Sequence, residues 1–332
     1  MTQAKTGLAD KPVVISCGEP SGIGPEVAAR AWAMLAGEVP LAWIGDPRHL
    51  PQDIPHCIID SPSDALAAGS DALPVLRHDF AASAVAGKPD PANAQGVIDV
   101  IARGVDLVRS GAASALTTAP IHKKALKDGA GFAYPGHTEY LAALAGGSDV
   151  VMMLASDQLR VVPATIHIAL DQVPNVLTPA HLRRVIEITA AGLRSQFGIK
   201  APRIAIAGLN PHAGEGGTMG REEQTWMVGL MREMQAEGYS LSGPLPADTM
   251  FHAAARTSYD VAVAMYHDQA LIPIKTLDFA GGVNVTLGLP FVRTSPDHGT
   301  AFDIAGRRIA DPGAMIAALK MAGDMAARRA RV

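Results

Sequence analysis

Short apolar, β-prone runs recur along this chain, and three of them end at a histidine. These are Leu159–Ile166 before His167, Arg203–Leu209 before His212 and Asp260–Tyr266 before His267. Apolar runs of this length are typical of buried strands in a parallel sheet. In such sheets, the side chains just beyond the carboxyl ends of the strands line the ligand crevice. The sequence therefore predicts an α/β fold whose ligand site collects these strand ends.

Three imidazoles at such strand ends fit a catalytic metal site. Zinc in catalytic sites takes three protein ligands and keeps a fourth position for water or substrate. The alternative is that each histidine only caps its own strand through a local hydrogen bond. Three occurrences of the same pattern favour the metal site. The glycine-rich segment around His212, Gly208–Gly217, also predicts a backbone that closely approaches a ligand.

A second candidate ligand loop follows the first apolar run, Pro12–Cys17. The segment Gly18–Glu26 reads GEPSGIGPE, in which Gly22 and Gly24 allow a tight turn and Pro25 suits the first turn of a helix. Free backbone amides at such a helix start favour anions. The spacing is not G-x-G-x-x-G, so no Rossmann fingerprint is assigned. A plain strand-to-helix turn is the alternative.

Polar side chains also follow other predicted elements. The strand-like run Ser114–Thr118 leads into His122 and a lysine pair, which form either a ligand loop or a solvated helix start. His137 and Thr138 precede an apolar helix, Tyr140–Ala145, where free amides can hold a phosphate or carboxylate. An ordinary helix cap by Thr138 is the alternative.

Two residues are candidates for proton transfer. Asp248 lies in a predicted extended loop, Ser242–Phe251, although an aspartate there more often caps a turn. Lys275, Asn284 and Arg293 lie in a segment that we predict to be β-structure interrupted by polar residues. Lys275 follows the apolar residues LIPI, so we expect partial burial, and a partly desolvated lysine can bind a phosphate or transfer a proton.

Periodicity predicts the remaining elements. A hairpin turn between residues 149–154 and 159–166 would pair these strands antiparallel and make the sheet mixed. Helical patterns cover residues 26–36, 93–109, 178–196 and 222–237, with Thr178 as an N-cap. Short strands are expected at residues 41–44, 57–59 and 73–76.

Composition limits the class of protein. With 332 residues, 48% hydrophobic and 18% charged, the chain is long enough for two globular domains or one large one. A net charge of −4 gives no reason to expect nucleic acid, and no apolar stretch approaches a membrane span. The first residues lack the apolar core of a signal peptide. The two cysteines, Cys17 and Cys57, form no disulfide framework, so we expect a reducing compartment, the cytoplasm.

Two motifs at opposite ends of the chain resemble one known fold. His298–Gly306, HGTAFDIAG, resembles the adenosine-binding loop of the isopropylmalate and isocitrate dehydrogenase fold, and GIGPE at Gly22–Glu26 resembles its first loop. The resemblance implies that Gly22, Gly24, His298 and Asp303 bind the cofactor. An aspartate at position 303 would accept from the ribose hydroxyls and repel a 2′-phosphate, which favours NAD over NADP.

A closer resemblance runs from residue 18 to residue 306. The motifs GEPSGIGPE, TTAPIHKKAL, GHTEYLA, GLNPHAGEGG, GPLPADT, AMYHDQALIPIK and GVNVTLGLPFVRTSPDHGTA are similar to those of the 4-hydroxythreonine-4-phosphate dehydrogenase family. The resemblance implies two α/β/α domains with mixed sheets, isopropylmalate dehydrogenase-like, with the active site in the cleft between them. It implies a cofactor-side domain of residues 1–135 plus 290–332 and a metal-binding, dimerising domain of residues 136–289.

The same resemblance implies roles for single residues. His167, His212 and His267 would bind a divalent metal, usually zinc with magnesium or cobalt as alternatives, and His267 of the partner subunit would complete each site of a homodimer. Substrate would contact His137, Thr138, Lys275, Asn284 and Arg293. The general base is not implied, and Lys275 and Asp248 are our candidates.

The implied reaction is the NAD-dependent oxidation of 4-phosphooxy-L-threonine to 2-amino-3-oxo-4-phosphooxybutanoate. This product decarboxylates to 3-amino-2-oxopropyl phosphate, in pyridoxal phosphate biosynthesis. Many members have asparagine where this chain has His122, so related substrates are alternatives: 4-phospho-D-threonate, 4-phospho-D-erythronate or an aromatic cis-dihydrodiol. A metal-dependent binding protein and an acyl-transfer enzyme on the same fold are the alternatives from other classes.

Overall fold

The computed structural model describes residues 11–35, 37–68 and 70–330. Its contacts divide the chain into two units, one formed by the residues up to Ser148 together with those from Leu289 onwards, and the other by Asp149–Gly288. The sequence predicts an inner boundary at residue 136, whereas residues 136–148 lie with the first unit. The reason is that the helix within them packs on another helix of that unit.

The chain up to Ser148 alternates strands and helices. Its strands are β1 (Val13–Ser16), β2 (Leu41–Gly45), β3 (His56–Ile58), β4 (Leu73–Arg77) and β5 (Ala115–Thr118). Its α-helices are α1 (Gly24–Met34), α2 (Ala94–Arg109), α3 (Lys123–Ala130) and α4 (His137–Leu144). The strands and helices predicted here from sequence are confirmed to within a few residues.

The middle of the chain contains a second set. Its strands are β6 (Val151–Ala155), β7 (Arg160–Pro163), β8 (Arg203–Ala207), β9 (Ser240–Leu245), β10 (Val261–Ala264) and β11 (Val283–Leu287). Its α-helices are α5 (Val173–Val176), α6 (Pro179–Phe197), α7 (Val228–Ala236), α8 (Ala247–Met250), α9 (Ala253–Arg256) and α10 (His267–Leu277). A π-helical turn, Glu223–Met227, leads into α7. The chain then returns to the first unit with β12 (Arg293–Pro296) and α11 (Gly313–Arg329).

The sheet of the first unit has the strand order β3-β4-β2-β1-β5-β12, and each of these neighbouring pairs is parallel. The pairing is parallel here because α1, α2 and their loops return the chain to the same strand direction each time. Helix α11 packs on β12 and β5, and α2 packs on β1 and β5. Apart from the exposed edge strand β3, the strands are buried along almost their whole length, as the apolar runs predict.

The sheet of the second unit is mixed, as predicted. Its order is β11-β6-β7-β10-β8-β9, with antiparallel pairs β11–β6 and β6–β7 and parallel pairs among β7, β10, β8 and β9. The β6–β7 hairpin is the one that the sequence predicts. Thr178 caps α6 by accepting a hydrogen bond from the amide of His181, at 3.2 Å, which confirms the predicted N-cap.

Two sequence predictions are wrong in this unit. The residues after His267 form helix α10, not a β stretch, so Lys275 lies on a helix. The apolar LIPI run resembles a strand, but Leu271 and Ile274 are three residues apart on one buried helix face. The predicted loop Ser242–Phe251 is strand β9 followed by α8. Among the described residues, none of the helices is both long and apolar enough to cross a membrane.

Candidate functional site

The three histidines follow three adjacent parallel strands. His167 follows β7, His267 follows β10 and His212 follows β8, with β10 in the middle and in hydrogen-bonded register with both neighbours. Parallel strands place their carboxyl ends at one edge of the sheet. The sequence pattern and the sheet order therefore agree that these residues, the strand-end histidines, share one edge.

Two of the three rings lie close together. The ring centroids of His167 and His267 are 5.9 Å apart, and both side chains line a pocket of about 340 Å³ with Thr165 and Tyr266. Two imidazoles that bind one ion through Zn–N bonds of about 2.0–2.1 Å have centroids roughly 5–6 Å apart. The spacing of His167 and His267 thus fits a shared ion.

The ring of His267 is also held in a form that suits metal binding. Its Nδ1 lies 2.7 Å from Oδ1 of Asp268. A carboxylate at one ring nitrogen favours the tautomer in which the other nitrogen carries the lone pair, as is usual for metal-bound histidines. Within the part of the chain that the structure describes, however, no group of three or more histidine, cysteine, aspartate or glutamate side chains is close enough to hold a metal. His212 supplies no third ligand beside the other two rings in a single chain.

His212 lies in a segment with an unusual backbone. From His212 to Gly216 all five residues have left-handed φ angles, between 38° and 80°, and three of these residues are not glycine. Each non-glycine residue in this conformation costs roughly 1–2 kcal/mol. Backbone strain of this kind persists only where the surroundings over-determine it, and it is typical of functional sites.

A buried glutamate fixes the start of this left-handed segment. The carboxylate of Glu223, 3% exposed, accepts hydrogen bonds from the amide of Asn210 at 2.8 Å and from its Nδ2 at 3.0 Å. Glu222 accepts a further bond from the same Nδ2 at 2.7 Å, and its pKa lies below the usual range because it accepts backbone and Asn210 hydrogen bonds. A Cβ on Gly214 would lie 2.8 Å from Oε2 of Glu223, so the segment lies directly on this carboxylate.

The first unit contains a buried cation near predicted substrate residues. Arg293 at the start of β12 is 2% exposed, and its Nη2 donates to Oγ1 of Thr118, at the end of β5, at 2.6 Å. Burial lowers the pKa of Arg293 to about 10. A guanidinium that remains charged in such a place has a strong preference for an anion.

His137 belongs to the same cluster. It begins helix α4, and burial, followed by the positive charges of Arg293 and Lys123, holds the pKa of its imidazole well below the usual range. Its Nε2 is buried and has no hydrogen-bond partner among the described residues. We call Thr118, Lys123, His137 and Arg293 the cationic cluster. Its charge and its free donors at the start of α4 suit a phosphate or carboxylate.

The structure places the other predicted substrate and base residues as follows. Thr138 is half-buried in the first turn of α4. Asn284 lies on β11, and its Oδ1 is buried without a hydrogen-bond partner in the described chain. Lys275 is half-buried near the end of α10, with Nζ 5.3 Å from the ring centre of Phe279. Asp248 is exposed in α8, which packs on the segment that carries His212.

The two motifs predicted to bind the cofactor meet in the first unit. The amide of Ile23 donates to the carbonyl of Thr300 at 3.0 Å, and a Cβ on Gly22 would lie 2.8 Å from that oxygen. The glycine at this position is therefore required by the close approach of the two loops. In the second loop, Nε2 of His298 is buried with no partner among the described residues, and Asp303 is exposed.

A pocket of about 270 Å³ lies beside these loops. It is lined by Gly22 and Glu26 of the first loop and by Gly306 of the second, together with Arg48, His49 and Arg308. Glu26 is 6% exposed, and its Oε1 has no hydrogen-bond partner in the described residues. Burial lowers the pKa of His49, which keeps the ring neutral near pH 7. The wall thus offers acceptors for hydroxyl or amino groups, together with two guanidinium groups that pair with Asp46 and Asp53.

Sequence reasoning does not identify several polar residues of these sites. The sequence predicts Thr118 only as part of a strand and Glu223 only as part of a helix. Glu19, 2% exposed in the first glycine loop, accepts from the amide of Ser21 at 3.0 Å, and burial raises its pKa. An acidic residue directly after an apolar strand is the signal that could have identified Glu19.

His122 has a defined partner. Its ring meets that of Phe302 edge to face, with centroids 5.0 Å apart. Phe302 lies in the loop His298–Gly306, so the residue that departs from the family pattern contacts the predicted cofactor loop.

Comparison with known proteins gives a consistent result. The family model described as pyridoxal phosphate biosynthetic protein PdxA matches residues 38–322. The chain is 68% identical to a 4-hydroxythreonine-4-phosphate dehydrogenase from Roseobacter denitrificans, over 96% of this chain and 98% of the relative.

Solved structures agree with these matches. A crystal structure of a 4-hydroxythreonine-4-phosphate dehydrogenase from Klebsiella pneumoniae has a TM-score of 0.88 at 37% identity and covers 96% of this chain and 99% of that one. A terephthalate 1,2-cis-dihydrodiol dehydrogenase from Burkholderia xenovorans is less similar, with a TM-score of 0.67 at 28% identity, covering 95% of this chain and 98% of that one.

Proposed function

The chain belongs to the PdxA family of pyridoxal phosphate biosynthetic proteins, and from this premise we propose that it oxidises 4-phosphooxy-L-threonine with NAD and a divalent metal. The secondary alcohol loses a hydride to NAD and a proton to a base, which gives 2-amino-3-oxo-4-phosphooxybutanoate. This β-keto acid loses carbon dioxide to give 3-amino-2-oxopropyl phosphate. The single observation that carries the proposal beyond the family is the cationic cluster, which suits a phosphorylated substrate.

The cationic cluster would bind an anionic group of the substrate. Arg293 is buried and held by Thr118, so its guanidinium is already oriented before substrate arrives. His137 and Thr138 add the start of α4, where backbone amides are free. An anion would also supply the missing partner for Nε2 of His137, because the ring can take up a proton as the anion binds.

Lys275 and Asn284 are proposed as further substrate contacts from the second unit. The buried Oδ1 of Asn284 needs a donor, and the amino or hydroxyl group of the substrate is one. Proton removal is assigned to Lys275 or Asp248. Both lie on helices joined to a strand-end histidine, since α10 begins at His267 and α8 packs on the segment of His212.

The strand-end histidines would hold the metal. The Asp268 contact supports this assignment for His267, and the 5.9 Å spacing of His167 and His267 supports it for the arrangement in which both rings come from one chain. A divalent ion bound there, zinc with magnesium or cobalt as alternatives, would lower the pKa of a coordinated hydroxyl. The full set of three requires a second chain if His267 of the partner subunit completes the site.

The cofactor would lie against the two loops that meet at Gly22 and Thr300. Gly22 and Gly24 bring the backbone close to it, while His298 and Asp303 offer polar groups. The adjoining pocket, with Glu26 and two arginines, has room for part of a dinucleotide. We assign NAD, whose nicotinamide accepts the hydride, because a carboxylate at Asp303 repels a 2′-phosphate.

A homodimer is the proposed assembly, with the second unit as its contact surface. Large apolar side chains of this unit are exposed: Ile168 at 40% and Leu170 at 67% line the histidine pocket, and Ile272 at 62% lies on α10. An apolar group of this kind is typical of a surface that another chain covers. Both cysteines are free, which is consistent with the proposed cytoplasmic location.

The experiment that tests the proposed function measures NADH formation by purified, zinc-loaded protein. The substrates are 4-phosphooxy-L-threonine, 4-phospho-D-threonate, 4-phospho-D-erythronate and a terephthalate cis-dihydrodiol. We expect a strong preference for the first. A preference for another substrate would keep the hydride chemistry and overturn the substrate, with His122 as the first residue to exchange for asparagine. Metal and substrate binding without any NADH would instead favour a binding protein.

A further inference from the structure

A row of hydrogen bonds crosses the ends of the three strands that lead to the histidines. Oγ1 of Thr165 donates to the carbonyl of Met265 at 2.8 Å. The amide of Met265 donates to Oε1 of Gln269 at 2.7 Å, and Nε2 of Gln269 donates to the carbonyl of Gly208 at 2.8 Å. We call these four residues the strand-end strap. It joins the exit of β7 to that of β10, and the exit of β10 to that of β8.

The side-chain amide of Gln269 can take only one orientation in the strap, and the strap is shielded from water. A backbone amide can only donate and a carbonyl can only accept, so the two partners of Gln269 determine which end of its side chain faces which strand. Thr165 is 4% exposed, Gln269 9% and Met265 fully buried. Loss of one member would leave a buried backbone group without its partner, which is more costly than the loss of an exposed hydrogen bond.

The strap lies directly before the histidines. Thr165 precedes His167 by two residues, Met265 precedes His267 by two, and Gly208 precedes His212 by four. An extended chain advances about 3.3 Å per residue, so each anchor lies within roughly 7–13 Å of its histidine along the chain. A shift of one strand end against the next would therefore carry its histidine with it.

We propose that Gln269 and Thr165 are positioning residues that hold in register the three strand ends carrying His167, His212 and His267, so that these rings can bind a metal ion. This rests on the proposed metal site. The rings themselves are exposed or half-exposed, so packing of their side chains does not fix them as it fixes Arg293. The spacing is set instead at the backbone, before each ring leaves the sheet. If His267 of the partner subunit completes the site, the strap of one chain sets His167 relative to His212 through β10, and the strap of the partner holds the strand end that carries its own His267.

Two pairs of substitutions test the strap. Gln269→Leu removes both bonds of the amide, and Gln196→Leu is its control, because Gln196 is also buried (3% exposed) but lies on α6. Thr165→Val removes only the bond to Met265. Its control is Thr189→Val, because Thr189 is fully buried and bonds the carbonyl of Val185 within its own helix, at 2.7 Å.

The measurements are made on the metal-free, full-length protein. The dissociation constants of zinc and cobalt(II) are titrated, the visible spectrum of the cobalt form reports its coordination geometry, and thermal unfolding without metal reports general stability. We expect Gln269→Leu to weaken metal binding about 10-fold or more and Thr165→Val to weaken it less, by analogy with groups that orient metal ligands. Both should alter the cobalt spectrum, and both controls should leave spectrum and affinity unchanged.

Several outcomes would overturn the inference. If Gln269→Leu and Thr165→Val bind metal as the wild type does, with an unchanged cobalt spectrum, the strap has no positioning role. If each strap variant and its control lose the same stability and the same affinity, the role is only structural. Should Gln269→Leu not fold, the threonine pair alone decides. A wild-type chain that binds no divalent metal would overturn the proposed metal site itself, and the strap's role with it.

Discussion

The cationic cluster and the strand-end histidines are built in opposite ways. In the cluster, a buried cation is held by a side-chain hydrogen bond: Arg293 is 2% exposed and donates to Thr118, and its charge acts on the half-buried His137 at the start of a helix. At the strand ends, His167 and His212 are exposed, and the order lies in the backbone beneath them. There the left-handed turn after Asn210 and the strand-end strap hold the backbone in place, whereas the imidazole rings themselves are not held by packing.

The difference matches the ligands that each site would bind. A phosphate is large and anionic, and a buried cation oriented in advance attracts it strongly because little water screens the charge. A metal ion forms short bonds whose geometry the ion itself helps to set. Imidazole rings that can still rotate on a fixed backbone can adjust to the bond geometry that the metal ion prefers. We therefore expect the two sites to respond differently to substitution.

The largest effect should come from the strand-end histidines. His212→Ala would remove one ligand outright, and we expect metal binding and turnover to be lost, with turnover reduced on the order of 1000-fold because several kcal/mol of charge stabilisation disappear. Metal content by elemental analysis and NADH formation measure this. His252→Ala, an exposed histidine of the same unit, is the control. Normal metal content in His212→Ala would contradict the assignment of this histidine.

A smaller effect is expected in the cationic cluster. Arg293→Met keeps the length of the side chain but removes the charge, and each charged hydrogen bond lost is worth about 1.5–3 kcal/mol. The KM for 4-phosphooxy-L-threonine should rise roughly 10- to 100-fold, while zinc affinity stays unchanged. Arg183→Met is the control, since Arg183 pairs with Glu237 on the surface. An equal loss of zinc affinity in Arg293→Met would show that the two sites are not separable.

The smallest effect concerns pH. The folded pKa of His137 lies below its unfolded value of about 6.5, so the unfolded chain binds a proton first as pH falls. The free energy of unfolding therefore keeps its full value above about pH 6.5 and falls below that pH, by at most about 1.4 kcal/mol per pH unit for this one histidine. Urea unfolding of metal-free protein at about pH 7.5 and 5.5 measures this.

The comparison within that experiment is between two variants. His137→Gln should reduce the loss of stability on acidification, although His49, whose pKa is also lowered by burial, retains part of it. His252→Gln should leave the loss unchanged. If both variants lose stability on acidification as steeply as the wild type, His137 is not held neutral by the cluster.

The sequence predicts the strands better than it predicts the contacts that hold the candidate site residues. Strands β7, β8 and β10 and their histidines follow from apolar runs with polar ends. Helix α10 is not predicted from its sequence, because Pro273 and the β-branched isoleucines around it disfavour a helix. The helix is stabilised instead by the contact of its buried face with β7.

The supports of the two sites were not predictable from local pattern. Thr165 and Met265 are 100 residues apart, and their hydrogen bond exists only after β7 and β10 pair. The left-handed turn is equally unexpected, because three of its five residues are not glycine. Such features depend on contacts between distant residues, whereas periodicity reports only on neighbours.

The return of the chain to the first unit has a consequence for its synthesis on the ribosome. Strand β12 lies beside β5, and α11 covers both, yet they are translated only after the whole middle unit. At about 5–20 residues per second, synthesis of the middle unit alone lasts several seconds or more. Thr118 is made early and its partner Arg293 late, so the middle unit can complete its sheet before the cationic cluster of the first unit exists. A nascent chain would therefore acquire the strand-end histidines first and the cationic cluster last.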